Sequence, residues 1–187
     1  LVHALYCAVY AARLKGRRLG ELSDEEIDEV VADAAGELDR LGKSHARSRP
    51  AAWKAERTRA LEQLRRVLAV ERRSNADAAP RHFELDFGMN AHPPPLSLRS
   101  EGEDTIRLRG RIDRVDELPD GGVQVVDYKS GSSRRYRANS FAGGTQVQLP
   151  TYLLAVAQIL ETIEGRARYL FAAEPKFTGE FTLEQLR

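Results

Sequence analysis

Asp127 and Lys129 stand two residues apart in Val123-Gln124-Val125-Val126-Asp127-Tyr128-Lys129, a β-branched, aromatic run that reads as a strand covered on both faces. Side chains two apart leave the same face of a strand, so a carboxylate and an amine are presented side by side. A second carboxylate, Asp113, precedes the turn signal Pro119-Asp120-Gly121-Gly122, in which proline fixes φ and the glycines accept positive φ. A three-residue loop centred on Asp120 would set Asp113 opposite Asp127, with Cβ atoms roughly 4.5–5.5 Å apart. The apolar parity of the first strand, however, runs through Ile106, Leu108 and Ile112 and then flips to Val115. That is the sign of a bulge, which would shift the register by one. Two clustered carboxylates repel each other unless something cationic lies between them, and hard oxygen ligands suit Mg²⁺ or Mn²⁺. The plainer reading is an ion-paired strand end in which Lys129 neutralises the aspartates.

The longer string, Gly110-Arg111-Ile112-Asp113-Arg114-Val115-Asp116, then the turn, then Val126-Asp127-Tyr128-Lys129-Ser130-Gly131, resembles the PD-(D/E)xK nuclease superfamily. Within it the RecB-like branch is the nearest likeness, which takes in the nuclease domains of RecB and AddB and related CRISPR-adaptation nucleases. Three further features extend the resemblance. His3, in Leu1-Val2-His3-Ala4-Leu5, is placed and flanked like the metal-binding histidine of that branch's first helix. Pro80, Glu84 and Phe87 are similar to a Pro…Glu…Phe element before the metal-binding hairpin, with Glu84 open between a catalytic and a structural part. Gln148-Leu149-Pro150-Thr151-Tyr152 matches a Gln-x-x-x-Tyr element after the D-x-K strand.

The resemblance implies a restriction-endonuclease-like α/β fold, a mixed central β-sheet flanked by helices, preceded by an N-terminal helical segment. It implies that His3, Asp113 and Asp127, with the backbone carbonyl of Tyr128, hold Mg²⁺ or Mn²⁺. Lys129 would position or deprotonate the attacking water, and Gln148 and Tyr152 would orient the site or the phosphate backbone. Some members also hold an iron–sulfur cluster on four cysteines. Cys7 is the single cysteine here, so this chain supports no such cluster.

The remaining elements follow from periodicity. Residues 1 to about 18 read as a helix through Leu1, Val2, Leu5, Val9, Ala12 and Leu14. Ser23-Asp24-Glu25-Glu26 is a capping box opening an outwardly acidic helix to about Leu41. Pro50 lies in the first turn of a basic helix running to about Arg73, with Trp53, Leu61, Leu64 and Leu68 inward. The acidic face reads as solvated, whereas the basic one offers contact to a DNA backbone. Residues 74–80 are a linker between a helical segment (1–75) and an α/β core (80–187). His82 to Phe87 alternates as a strand, with a loop through Pro93-Pro94-Pro95 after it. Ser130 to Arg137 is a basic loop in which Arg134, Arg135 and Arg137 could take phosphates and Tyr136 a base. Thr145 to Ile163 is an apolar-faced helix, and Arg168 to Ala173 a last strand before a polar tail.

The 187 residues fit one domain with a substantial core, and a net charge of +1 says nothing for nucleic acid by itself. No apolar run approaches the roughly 18 residues that span a membrane. A single cysteine suits a reducing compartment, so a cytoplasmic location is expected. The chain opens without methionine, as a fragment of a larger helicase–nuclease subunit would. The resulting expectation is a metal-dependent deoxyribonuclease of the RecB exonuclease type, acting in DNA repair and recombination with a helicase or recombination partner. Two alternatives stay open: a catalytically inactive nuclease-like DNA-binding scaffold, and a phosphohydrolase of small nucleotides.

Overall fold

Five strands make a mixed sheet in the order β1-β4-β5-β6-β7: β1 (Ala79–Phe87), β4 (Gly110–Glu117), β5 (Val123–Lys129), β6 (Gly165–Phe171) and β7 (Lys176–Thr182). Only β5 and β6 pair parallel, the other neighbours being antiparallel. A two-stranded ribbon, β2 (Leu96–Arg99) and β3 (Thr105–Leu108), stands apart. These assignments come from a computed structural model that describes residues 1–90, 92–99, 104–136 and 146–186.

Helices cover both faces of the sheet, which makes this the mixed α/β architecture of restriction-endonuclease-like nucleases. One face carries α1 (Val2–Val9, continued by a π turn over Tyr10–Leu14), α2 (Asp24–Leu41) and α4 (Pro50–Ser74). A short α3 (Lys43–Ser48) joins the last two. The other face carries α5 (Gln148–Leu160), the crossover that a parallel β5–β6 pair requires. Two apolar cores result, one against Val126, Tyr128 and Leu170, the other against Val115, Val123, Val125 and Ala167.

The capping box is present: Glu26 N donates to Ser23 Oγ at 3.1 Å, and Ser23 N to Glu26 Oε2 at 2.9 Å. The acidic face of α2 is more than a solvated one. It pairs with arginines of α4 and of the first helix: Asp39 with Arg57 at 2.7 Å, Asp24 with Arg72 at 2.7 Å, Asp28 with Arg65, Asp33 with Arg13. Much of the basic character of α4 is thereby spent inside the chain.

The hairpin turn closes as a three-residue loop centred on Asp120. Leu118 N donates to Gly122 O at 2.9 Å, and Gly121 takes φ of +80°. The register runs from Glu117↔Val123 to Arg114↔Val126, and just beyond the last pair the Asp113 side chain reaches the backbone of Tyr128, next to Asp127. The expected one-residue shift is absent from that pairing. The parity flip has another cause. Phe83 packs in the α1 core and Leu85 in the α5 core, and likewise Ile112 joins the α5 core while Arg114 enters the opposite one. Both strands reverse their faces between those residues, at Glu84 and Asp113, while Phe83↔Arg114 and Leu85↔Ile112 stay in register. Glu84 has φ of +51°, left-handed backbone that costs a non-glycine residue on the order of 1–3 kcal/mol.

The chain end departs from expectation as well. The polar tail is strand β7, and the proline-rich loop leads into the β2–β3 ribbon. Gly179, at φ of +64°, lies where the β6–β7 register slips, so Phe177 packs towards one core and Phe181 into the other.

Candidate active site

Where β1 and β4 deform together, their two carboxylates meet the first helix. His3 Nε2 lies 2.8 Å from Glu84 Oε1 and 3.3 Å from Asp113 Oδ1. Asp113 also reaches across the hairpin: the backbone pairing of β4 and β5 ends at Arg114↔Val126, and beyond it Asp113 Oδ2 accepts from Tyr128 N at 2.8 Å. The left-handed backbone at Glu84 therefore has a consequence, since it accompanies the turn of this carboxylate towards His3.

The second half of the site follows from β5. Lys129 Nζ lies 2.5 Å from Asp127 Oδ2 and donates to Gln148 Oε1 at 2.8 Å. Gln148 Nε2 in turn donates to Tyr152 Oη at 3.1 Å, as residues four apart on one helix can. Lys129 Nζ also lies 5.2 Å from the centre of the Tyr169 ring. Asp127 is buried, and its Oδ2, although close to Lys129, lacks an aligned hydrogen-bond donor. Burial pushes the Asp127 carboxyl up to about 6, against the lowering effect of Lys129, and Asp113 adds to the rise. Burial likewise raises Asp113, opposed by the Tyr128 N–H and by His3.

Two raised carboxylates that share one ammonium, Lys129, form a set whose charge is incompletely balanced by this chain. Oxygen donors with one imidazole suit a hard or borderline divalent ion, so the residues present fit Mg²⁺ or Mn²⁺.

Tyr128 joins the halves. Its backbone separates Asp127 from Lys129, while its ring is locked below the sheet, edge-on to Tyr6 at 5.3 Å and 6.3 Å from Tyr10. Arg114 Nη1 donates to Tyr128 Oη at 3.1 Å. Arg114 is itself fully buried, paired with Glu71 of α4 and, through Nε at 2.7 Å, with Asp116. Its guanidinium lies 4.6 Å from the Tyr10 ring centre, and Tyr10 Oη donates to Glu71. Burial works to lower the Arg114 pKa, yet Asp116 and Glu71 hold it well above the ordinary value. Asn75 and Gln124 complete the cluster: Gln124 Nε2 donates to Asn75 Oδ1 at 2.8 Å and to Asp116 Oδ2 at 3.0 Å.

Reasoning from sequence gave Arg114, Asp116 and Glu71 no part. The available signal was the run of charges inside a strand otherwise placed at the centre of the sheet.

Of the basic loop after β5, only part lies within the described residues. Arg134 is exposed on a single 3₁₀ turn, Ser133–Arg135. The Arg135 side chain and the whole of Arg137 lie outside the described residues. Tyr136 packs edge-on against Tyr169 at 4.7 Å and Phe171 at 5.3 Å, so its ring serves the α5 core.

Among known proteins, this chain is similar to one subunit of the ATP-dependent helicase/deoxyribonuclease of several bacteria. It is 33% identical to that of Desulfitobacterium hafniense over 171 residues, 84% of this chain and 14% of the relative. To that of Clostridium tetani it is 40% identical over 91 residues, 47% of this chain and 8% of the relative. To that of Acetivibrio thermocellus it is 36% identical over 112 residues, 55% and 10% respectively. The match thus spans no more than 14% of the length of these relatives. A family model described as the PD-(D/E)XK nuclease superfamily matches residues 1–186, and the chain belongs to that superfamily.

Proposed function

We propose that this chain is a divalent-metal-dependent deoxyribonuclease domain, and that it works within a larger helicase–nuclease subunit acting in DNA repair. The observation that carries the reading is the meeting of Asp113, Asp127 and Lys129 at the end of the β4–β5 hairpin, with His3 and Glu84 closing one side and Gln148 and Tyr152 the other. His3, Asp113 and Asp127, with the Tyr128 carbonyl, would hold Mg²⁺ or Mn²⁺. Glu84 can serve as a further oxygen ligand or as the hydrogen-bond partner that orients His3. A bound divalent ion supplies a water of lowered pKa and neutralises charge that builds on the scissile phosphate.

The protein's own groups do the rest. Asp113 and Asp127 are held on adjacent strands whose register is fixed by the turn, so the reacting phosphate meets a preformed geometry. Lys129 is held between Asp127 and Gln148, placed to orient the attacking water and to stabilise negative charge on the phosphate oxygens. Gln148 fixes the Lys129 amine, and Tyr152 fixes Gln148. Arg134, exposed on its 3₁₀ turn, would approach the phosphate chain.

The test is incubation of end-labelled single- and double-stranded DNA with Mg²⁺, with Mn²⁺ or with EDTA. Cleavage that needs the metal supports the reading. DNA that is bound but uncut under every metal favours a nuclease-like scaffold instead. Equal or faster hydrolysis of mononucleotide esters would shift the assignment to small substrates.

A further inference from the structure

Cys7 follows His3 by four residues on α1, and side chains at that spacing share one side of a helix. Its Sγ donates to Glu84 Oε1 at 3.2 Å and lies 3.8 Å from the Asp113 carbonyl oxygen. One ligand atom each from His3, Cys7 and Glu84 falls within 4.8 Å of the others. Two of the three edges, sulfur–oxygen at 3.2 Å and nitrogen–oxygen at 2.8 Å, approach the roughly 3.3–3.6 Å edges of a tetrahedron drawn with zinc bond lengths, and the sulfur–nitrogen edge lies within 4.8 Å. Asp113 Oδ1, 3.3 Å from His3 Nε2, or a water could take the fourth corner. Hydrolysis with a hard ion leaves the thiol without a task, because Mg²⁺ has little affinity for sulfur.

We infer that His3, Cys7 and Glu84 form a site for a thiophilic divalent ion such as Zn²⁺, which occupies one side of the nuclease centre in place of Mg²⁺ and arrests cleavage. The ion site stands on its own residues, and the arrest of cleavage rests on the nuclease reading. The ion forms a bond to the Cys7 sulfur as the thiol releases its proton to solvent, and it replaces the hydrogen bond to Glu84. A thiolate and an imidazole favour Zn²⁺ over Mg²⁺, and borderline ions bind mixed nitrogen, oxygen and sulfur sites more tightly than Mg²⁺ does. With His3 and Glu84 taken up by that ion, the imidazole is withdrawn from the Mg²⁺ site proposed on Asp113 and Asp127.

The experiment is titration of the metal-free protein with Co²⁺, a spectroscopic substitute for Zn²⁺, followed by back-titration with Zn²⁺. In parallel, Mg²⁺-dependent DNA cleavage is measured at rising Zn²⁺. The wild type should show a sulfur-to-cobalt charge-transfer band that Zn²⁺ abolishes. Cys7→Ser should lack that band and bind Co²⁺ at least about tenfold more weakly. Relative to its own zinc-free rate, it should also need at least about tenfold more Zn²⁺ for half-inhibition. His3→Ala, at a half-exposed position, should weaken Co²⁺ binding without a packing cost. A band missing from the wild type, or unchanged in Cys7→Ser, overturns the inference. Cleavage without the band sinks this inference alone; the band without cleavage sinks the nuclease reading and the arrest that depends on it, and leaves only the metal site.

Discussion

Arg114→Ala is the substitution whose cost can be worked most directly. Arg114, Glu71 and Asp116 are all fully buried, and the guanidinium is the cation between the two carboxylates. Its removal strands two buried acids and takes the donor from Tyr128 Oη. Breaking a buried ion pair from one side typically costs about 3–5 kcal/mol, a large share of the roughly 5–15 kcal/mol that holds a domain together. At about 2–4 °C per kcal/mol for a chain of this size, the melting midpoint should fall by about 6–20 °C. Urea unfolding followed by far-ultraviolet circular dichroism measures the loss as a lower midpoint at an unchanged slope. The stranded charge can be separated from lost packing. In Arg114→Met combined with Glu71→Gln and Asp116→Asn no acid is left without its cation, and most of the loss should return, a strongly non-additive result. A single variant within about 1 kcal/mol of wild type would refute the reasoning. So would a triple variant less stable than Arg114→Met alone.

Three other outcomes are expected. Lys129→Ala should lower the single-turnover cleavage rate by about 10²–10⁴-fold with DNA affinity retained, and Gln148→Ala by up to about 10²-fold through a misplaced amine; equal rates in gel-based cleavage assays would contradict both. In metal-free protein, Asp127→Asn should stabilise the fold at pH 7 by about 2–3 kcal/mol, because the folded carboxyl, at about 6, lies above its unfolded value. The native state then binds more protons than the unfolded one between about pH 4 and 6, so wild-type stability falls as pH rises through that window, and the variant's advantage should vanish below about pH 4. Paired denaturation curves in EDTA across that range check the sign. Arg57→Ala and Arg65→Ala, whose partners are Asp39 and Asp28, should leave the salt dependence of DNA binding unchanged; a slope reduced by about one per substitution would show that they contact phosphates.

Much of the site was legible because its geometry is local. The Pro119–Gly122 turn sets a three-residue loop, the loop sets the register as far as Arg114↔Val126, and the next residues out are Asp113 and Asp127. The Gln148 and Tyr152 pair follows from helical spacing, and the Ser23 box from its own four residues. What escaped was non-local or broke a period. The flip from Ile112 to Val115 resembled a bulge in one strand, yet it is a joint deformation of two, and nothing in a single strand announces that Glu84 adopts left-handed backbone. Phe177 and Phe181 concealed β7, because Gly179 sends them to opposite cores. Buried charge misleads pattern reading most: Arg114 and Asp116 count as polar in any alternation, and what makes them core is their pairing with each other together with the bond from Arg114 to Glu71, more than forty residues earlier.

The most direct test of the central claim is single-turnover cleavage of end-labelled DNA in Mg²⁺ by wild type, Asp113→Asn and Asp127→Asn, with Mn²⁺ binding measured on the same samples. The wild type should cleave only when the metal is present. Both variants should lose cleavage and bind Mn²⁺ more weakly, at unchanged secondary structure. Cleavage that survives both substitutions, or that continues in EDTA, would contradict it and move the chemistry away from this hairpin.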